Sequence, residues 1–213
     1  MIWLYFYNDR RIIFLCNRII PIKQGLLMTT YDKILHQANI LIQQRGFLGF
    51  SYADLEKRIG IRKASIHHYF PSKIDLGLAY CQYKKEGFIR LEGSLYNIPS
   101  GLQRLKTYLN AFSDCAKKGE MCGVYAMLSD SHQFPLELQE AVNLLADFEL
   151  NILKNILIFG QENGDIRLFS AANELAVIVC SSLKGALMLN RIPPHNAYFE
   201  TVKVLLTMLD SKQ

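Results

Sequence analysis

The stretch SYADLEKRIGIRKASIHHYFPSK, Ser51 to Lys73, decides the fold. Ser51 and Asp54 form a helix-start signal, and Tyr52, Leu55 and Ile59 then recur on one face. Gly60 follows as a residue able to take the left-handed conformation that ends a helix. A second short helix is expected over Lys63 to Tyr69, anchored by Ile61, Ile66 and Phe70 and closed by Pro71. Its other side carries Arg62, Lys63, Ala64, Ser65, His67, His68 and Tyr69. Two short helices joined by a glycine turn, the second with a polar face, read as a helix-turn-helix.

Three uses of that polar face compete. His67 and His68 are adjacent, so on a helix their side chains diverge by about 100° and cannot chelate one ion. His36, His132 and His195 stand alone, with no paired His or Cys/His spacing, so no metal is expected. There is no nucleophile elbow, phosphate-binding loop or dinucleotide fingerprint, so no catalytic residues, no cofactor and no enzyme are expected. A polyanion fits best. Arg62, Lys63 and Lys73 suit phosphates. Ser65, His67, His68 and Tyr69 suit phosphates or base edges, and Ala64 permits close approach to a thymine methyl. The second helix is therefore expected in the major groove of double-stranded DNA.

Outward from this stretch the chain reads as all-α. Before it, Tyr31, Ile34, Leu35, Ala38, Leu41 and Ile42 share a helical face opened by Thr29 and Asp32 and stopped by Gly46. After it, Ser72 and Asp75 open a helix running to about Glu92. Further helices are expected near 101–117, 122–131, 135–162, 171–190 and 196–209. The organisation is a three-helix head over 28–75 and a helical body over 76–213.

Charge follows the same division. Residues 28–75 hold seven cations and four anions, and residues 76–213 hold thirteen and fourteen, within a total formal charge of +5. Residues 1–27 hold four cations and one anion, and their apolar runs are too short for a span of roughly 20 residues. They also lack the order of a secretory signal. They are read as an upstream extension preceding a natural start at Met28, with a peripheral membrane anchor as the alternative. Five scattered cysteines without CxxC fit a reducing cytoplasm.

The segment ILHQANILIQQRGFLGFSYADLEKRIGIRKASIHHYFPSKIDL, Ile34 to Leu76, resembles the head of TetR-family transcriptional repressors. The likeness lies in QRGF after the first helix, Ser51, Gly60 and ASIHHYFPSK. It implies that Lys63, Ala64, Ser65, His67, His68 and Lys73 contact DNA, with Ser51, Arg62 and Tyr69 beside them. His67 departs from the family's usual tyrosine, and Arg62 from its usual capping serine. MCGVYAMLSDSHQFPLELQEAV, GQENGDIR and SSLKGALMLNRI resemble a subgroup in which some members respond to electrophiles, aldehydes or xenobiotics.

The resemblance implies a ligand-binding body and a homodimer formed by the last two helices. Ala176, Ser181, Ser182, Gly185 and Ala186 in one, and Tyr198, Val202, Leu205, Leu206 and Leu209 in the other, are consistent with such a seam. Tyr108, Phe112, Cys115, Cys122, Tyr125, Met127, Phe148 and Ile152 are expected around a small-molecule pocket. Cys122, at a helix start, is a candidate redox or electrophile sensor, with an inert buried core thiol as the alternative. Two functions follow: a repressor released from its operator by a small effector, or a DNA-binding protein that is constitutive or controlled by a protein partner.

Overall fold

The structure, a computed structural model, describes residues 28–212 together with 14, 15, 18 and 19. Strands β1 (Phe14–Leu15) and β2 (Arg18–Ile19) form a two-residue antiparallel pair. The readings of residues 1–27 otherwise fall outside the described residues. The remainder is all-α.

The head comprises α1 (Thr30–Arg45), α2 (Tyr52–Ile59) and α3 (Lys63–Tyr69). Thr29 and Asp32 cap α1 reciprocally, and Ile34, Ala38, Leu41 and Ile42 face the core. Gly60 ends α2 at φ 75° and ψ 25°, the left-handed region. Tyr52 closes the head, its hydroxyl donating to the carbonyls of Phe70 (2.9 Å) and Ser72 (2.6 Å).

The linking helix α4 (Lys73–Leu95) starts at a full Ser72–Asp75 capping box and runs one turn beyond the expected Glu92. The body continues with α5 (Gly101–Asn110), α6 (Ser113–Lys117), α7 (Gly123–Asp130), α8 (Leu136–Glu162), α9 (Ala172–Leu189) and α10 (Ala197–Leu209). The helix expected over 101–117 is broken at Ala111–Phe112. The Leu109 carbonyl, which an unbroken helix would offer to the Ser113 N–H, instead accepts the Phe112 N–H and the hydroxyl of Tyr198 from α10. That competition depends on a residue 89 positions away, so periodicity could not reveal it.

The 27-residue α8 is the spine, packed by α4, α5, α7 and α9. Gly101 and Gly160 let α5 cross α8 closely, since a Cβ on Gly101 would lie 2.1 Å from the Gly160 Cα. The α9 helix has the length and mean hydropathy (1.4) of a membrane span, but Leu175, Val179, Leu183 and Leu187 are buried in this core.

Candidate DNA interface and effector site

The α3 helix presents the face that the sequence singled out. Of its seven residues only Ile66 is buried, and Arg62, Lys63, Ala64, Ser65, His67, His68 and Tyr69 are all exposed. The serine missing at position 62 is replaced from another helix. Glu56 of α2 accepts from the Lys63 backbone N–H at 3.1 Å, capping α3. His67 Nδ1 lies 3.1 Å from the Pro71 carbonyl. A carbonyl only accepts, so Nδ1 carries the proton and Nε2 is left for another partner.

Two of the expected DNA contacts are engaged within the head. Ser51 is exposed, but its hydroxyl donates to Asp54 (2.8 Å) and helps hold that carboxyl below its usual range. Lys73 is half-buried. Its ammonium donates to the Phe50 carbonyl and lies 4.4 Å from the Phe50 ring centroid. Burial lowers its pKa, against the pull of Asp130 and Asp54. In this geometry Lys73 holds the start of α4 against Phe47 and Phe50 of the head.

The body holds a buried polar cluster that the sequence reading only half found. Glu149 of α8 and Lys184 of α9 are 0 % and 5 % exposed and pair at 2.6 Å. Tyr108 donates to the same Glu149 oxygen at 2.9 Å. The Lys184 ammonium sits 3.3 Å from the Phe112 centroid and 5.4 Å from that of Tyr125. Tyr125 shares a 3.0 Å hydrogen bond with Cys180. Burial opposes the charge on Lys184, but Cys122, Glu149 and Cys180 outweigh it and hold its pKa well above the usual lysine value. Burial, then Glu149, raises the Tyr108 hydroxyl, which therefore stays protonated and donates. Burial likewise raises the Cys180 thiol.

A groove of about 370 Å³ between α7 and α9 reaches this cluster through Lys184 and Tyr125, with Met121, Cys122 and Met188 among its walls. Of the expected pocket residues, Tyr108, Phe112 and Tyr125 meet at the cluster, and Cys122 lines the groove as the residue preceding α7. Met127 and Ile152 are core. Phe148 faces a different groove, between α4 and α8, with Leu78 and Leu144. Cys115 belongs to the joint between head and body, where Gln43 Nε2 donates to its sulfur at 3.0 Å. Glu149 and Lys184 were missed, although each is a charge set among apolar neighbours, in ADFELNIL and SSLKGALML.

That joint is a buried polar chain. Tyr80 of α4 donates to Asn39, Asn39 to Gln43 and Gln43 to Cys115, at 3.2, 2.8 and 3.0 Å. Beside it, the Met121 N–H bonds the Gln43 carbonyl (2.9 Å) and Gln44 donates to Glu120 (3.0 Å). A Cβ on Gly123 would lie 1.9 Å from the Tyr80 hydroxyl. The segment 120–123 is thus clamped to α1 and α4 while Met121, Cys122 and the following turn form a wall of the groove.

Residues 34–80 match the sequence profile of "Bacterial regulatory proteins, tetR family". These residues are a TetR-family DNA-binding head, and the chain shares the fold of TetR-family regulators. A TetR-family transcriptional regulator from Agrobacterium tumefaciens shares 27 % identity at a TM-score of 0.78, over 84 % of this chain and 97 % of that one. A TetR regulator from Legionella pneumophila shares 26 % at a TM-score of 0.77, over 86 % and 98 %. The fatty acid metabolism regulator protein of Bacillus subtilis (strain 168) is 24 % identical over 138 residues, 64 % of this chain and 71 % of its own length. The α2–α3 unit is therefore the DNA-binding helix-turn-helix of a TetR-family transcription regulator.

In the body the outer face of α9 and α10 is apolar. Ile178, Leu189, Val204 and Met208 are exposed along a groove of about 580 Å³ that includes Gly185. Of the seam residues expected on the last helix, Tyr198, Val202 and Leu209 are buried in the protomer's own core, while Leu205, also largely buried, lines the groove. Leu206 is partly buried against that core.

Proposed function

We propose that the protein is a cytoplasmic, dimeric repressor that leaves its operator when a small molecule occupies the α7–α9 groove. It is read as a binding protein and not as an enzyme. Two copies joined through the outer faces of α9 and α10 place their α3 helices in successive major grooves, about 34–36 Å apart, on a near-palindromic site. Arg62 and Lys63 meet phosphates, while Ala64, Ser65, His67, His68 and Tyr69 face bases and backbone.

The observation that carries the effector reading is the double role of residues 120–123, which wall the groove and clamp α1 and α4. A molecule that displaces this wall shifts the helices on which the head is mounted. A coupling of about 1–3 kcal/mol weakens operator binding roughly 5- to 150-fold. Proteins sharing the fold support a ligand-accepting body. A Bacillus subtilis FadR was solved with stearoyl-CoA (18 % identity, TM-score 0.60) and a Saccharomonospora viridis regulator with choline (20 %, 0.66).

The test is an operator-release screen of small hydrophobic compounds, aldehydes and oxidants on wild type and Cys122→Ser. Release by a reversible compound in both proteins supports the groove. Release by oxidants or electrophiles that disappears in Cys122→Ser assigns sensing to that thiol. No release by any compound leaves a constitutive or partner-controlled DNA-binding protein.

A further inference from the structure

The α3 helix begins on a residue that cannot cap it. Helices α1 and α4 start at Thr29 and Ser72, each held by an Asp in a reciprocal cap. Helix α3 starts at Arg62, which makes no side-chain cap and whose guanidinium carries donors only. Glu56 of α2 supplies the missing acceptor. Its carboxylate accepts from the Lys63 N–H at 3.1 Å, and its backbone carbonyl accepts from the Gly60 N–H at 2.9 Å. One residue thus holds both sides of the turn at 60–62. One helical turn earlier on α2, the Tyr52 hydroxyl grips the far end of α3 through the Phe70 carbonyl. These holds matter because α3 has seven residues and buries only Ile66.

We propose that Glu56 is a positioning residue for DNA discrimination. It seats the start of α3 so that Ala64, Ser65 and His67 meet base edges, and it leaves position 62 free for a phosphate-binding arginine. This rests on the helix-turn-helix assignment and on the phosphate role of Arg62, not on the effector reading. Base-edge readout requires side chains placed within about 0.5 Å. Attraction to phosphates is the same for every sequence. A start of α3 that frays therefore lowers the preference for one site more than it lowers overall affinity. A carboxylate beside a DNA-binding face also repels phosphates. Were Glu56 only a surface charge, its removal would strengthen binding to every duplex and leave the preference alone. As a cap, its removal erodes the preference.

The experiment uses the full-length protein and two labelled duplexes, one selected by the wild type from a randomised pool and one with the same bases scrambled. Affinities are read by fluorescence anisotropy across a salt series, with a thermal melt of each variant. Loss of a cap corresponds to roughly three- to thirtyfold, and Glu56→Ala is expected to lower the selected-to-scrambled ratio by that factor. Glu56→Gln keeps an acceptor without the charge, and its ratio is expected to stay within about twofold of the wild type. Arg62→Ser puts a capping side chain at the helix start and removes a cation, so its salt slope is expected to fall by about one. In that background, adding Glu56→Ala is expected to change the ratio by less than about twofold. An unchanged ratio in Glu56→Ala overturns the proposal. So does a loss in Glu56→Gln equal to that in Glu56→Ala, or a Glu56→Ala loss undiminished in the Arg62→Ser background. If Glu56→Ala melts below the assay temperature, Glu56→Gln and the double variant decide, and a loss beyond about threefold in either, against the wild type and Arg62→Ser respectively, overturns it. A salt slope in Arg62→Ser equal to that of the wild type contradicts the phosphate role beneath the proposal, an outcome separate from these.

Discussion

Lys63 stands exposed at the start of α3 with its backbone N–H capped by Glu56, whereas the Lys73 ammonium is turned onto the Phe50 carbonyl. Lys63→Ala is therefore expected to reduce the slope of log affinity against log salt by about one. Lys73→Ala is expected to leave the slope nearly unchanged and to lower the melting temperature. Titration of operator DNA across a salt series, with a thermal melt of each variant, distinguishes the two. Equal slope losses would place Lys73 on phosphate when DNA is bound. Glu149 and Lys184 pose a question of stability. Removing one partner of a buried pair commonly costs about 3–5 kcal/mol, because the other charge is stranded. Lys184→Met should show a loss of that order in denaturant unfolding, and adding Glu149→Gln should restore most of it. His36 supplies a pH dependence. Burial, and then Lys118, lowers its pKa below the ordinary histidine value. The unfolded chain therefore binds a proton more readily than the folded one. Its contribution is complete above about pH 6.5 and is lost as the pH falls through the lowered folded value. His36→Gln should flatten the stability profile between neutral and mildly acidic pH, measured by melting. A profile unchanged by the substitution would assign the dependence to other groups.

Among the helices, Gly123 marks where α7 backs onto α4. A methyl group there would collide with the Tyr80 hydroxyl and drive it off Asn39, opening the chain that runs through Gln43 to Cys115. Gly123→Ala is expected to change operator affinity although it lies outside the head, and to shrink the release caused by any effector. Operator titration with and without a releasing compound checks this, and normal affinity with normal release would remove the joint from the coupling. How far these features could be read from the sequence depends on the range of the interactions involved. The helix-turn-helix was legible because its signals are local: Ser51 with Asp54, the left-handed Gly60, the spacing of Leu55, Ile66 and Phe70. The cap that Glu56 lends to α3 crosses a turn, so nothing local to Arg62 announces it. The break at Phe112 and the pairing of Glu149 with Lys184 depend on contacts 89 and 35 residues apart. The residues of the last two helices were legible as apolar but not as inward or outward. Tyr198 and Leu209 turned into the protomer, and Phe199, Val204 and Met208 were left outside.

For the whole molecule, that outward face raises the question of assembly. Gly185 lies on it with open space around its Cα, so the protomer itself tolerates a side chain there. Gly185→Glu is expected to fold normally, run as a monomer in light scattering and lose most of its operator affinity, since one helix-turn-helix reads too few base pairs for high specificity. A dimer of unchanged affinity would move the interface elsewhere. The central claim is that occupation of the body and binding of DNA are coupled, and linkage makes that claim measurable from both sides. The decisive measurement is the affinity of the protein for its operator with and without a saturating releasing compound, paired with the affinity for that compound with and without operator. The account requires both ratios to show the same weakening, within about 5- to 150-fold. Operator affinity that is indifferent to a compound bound in the groove, with compound affinity equally indifferent to operator, would contradict it.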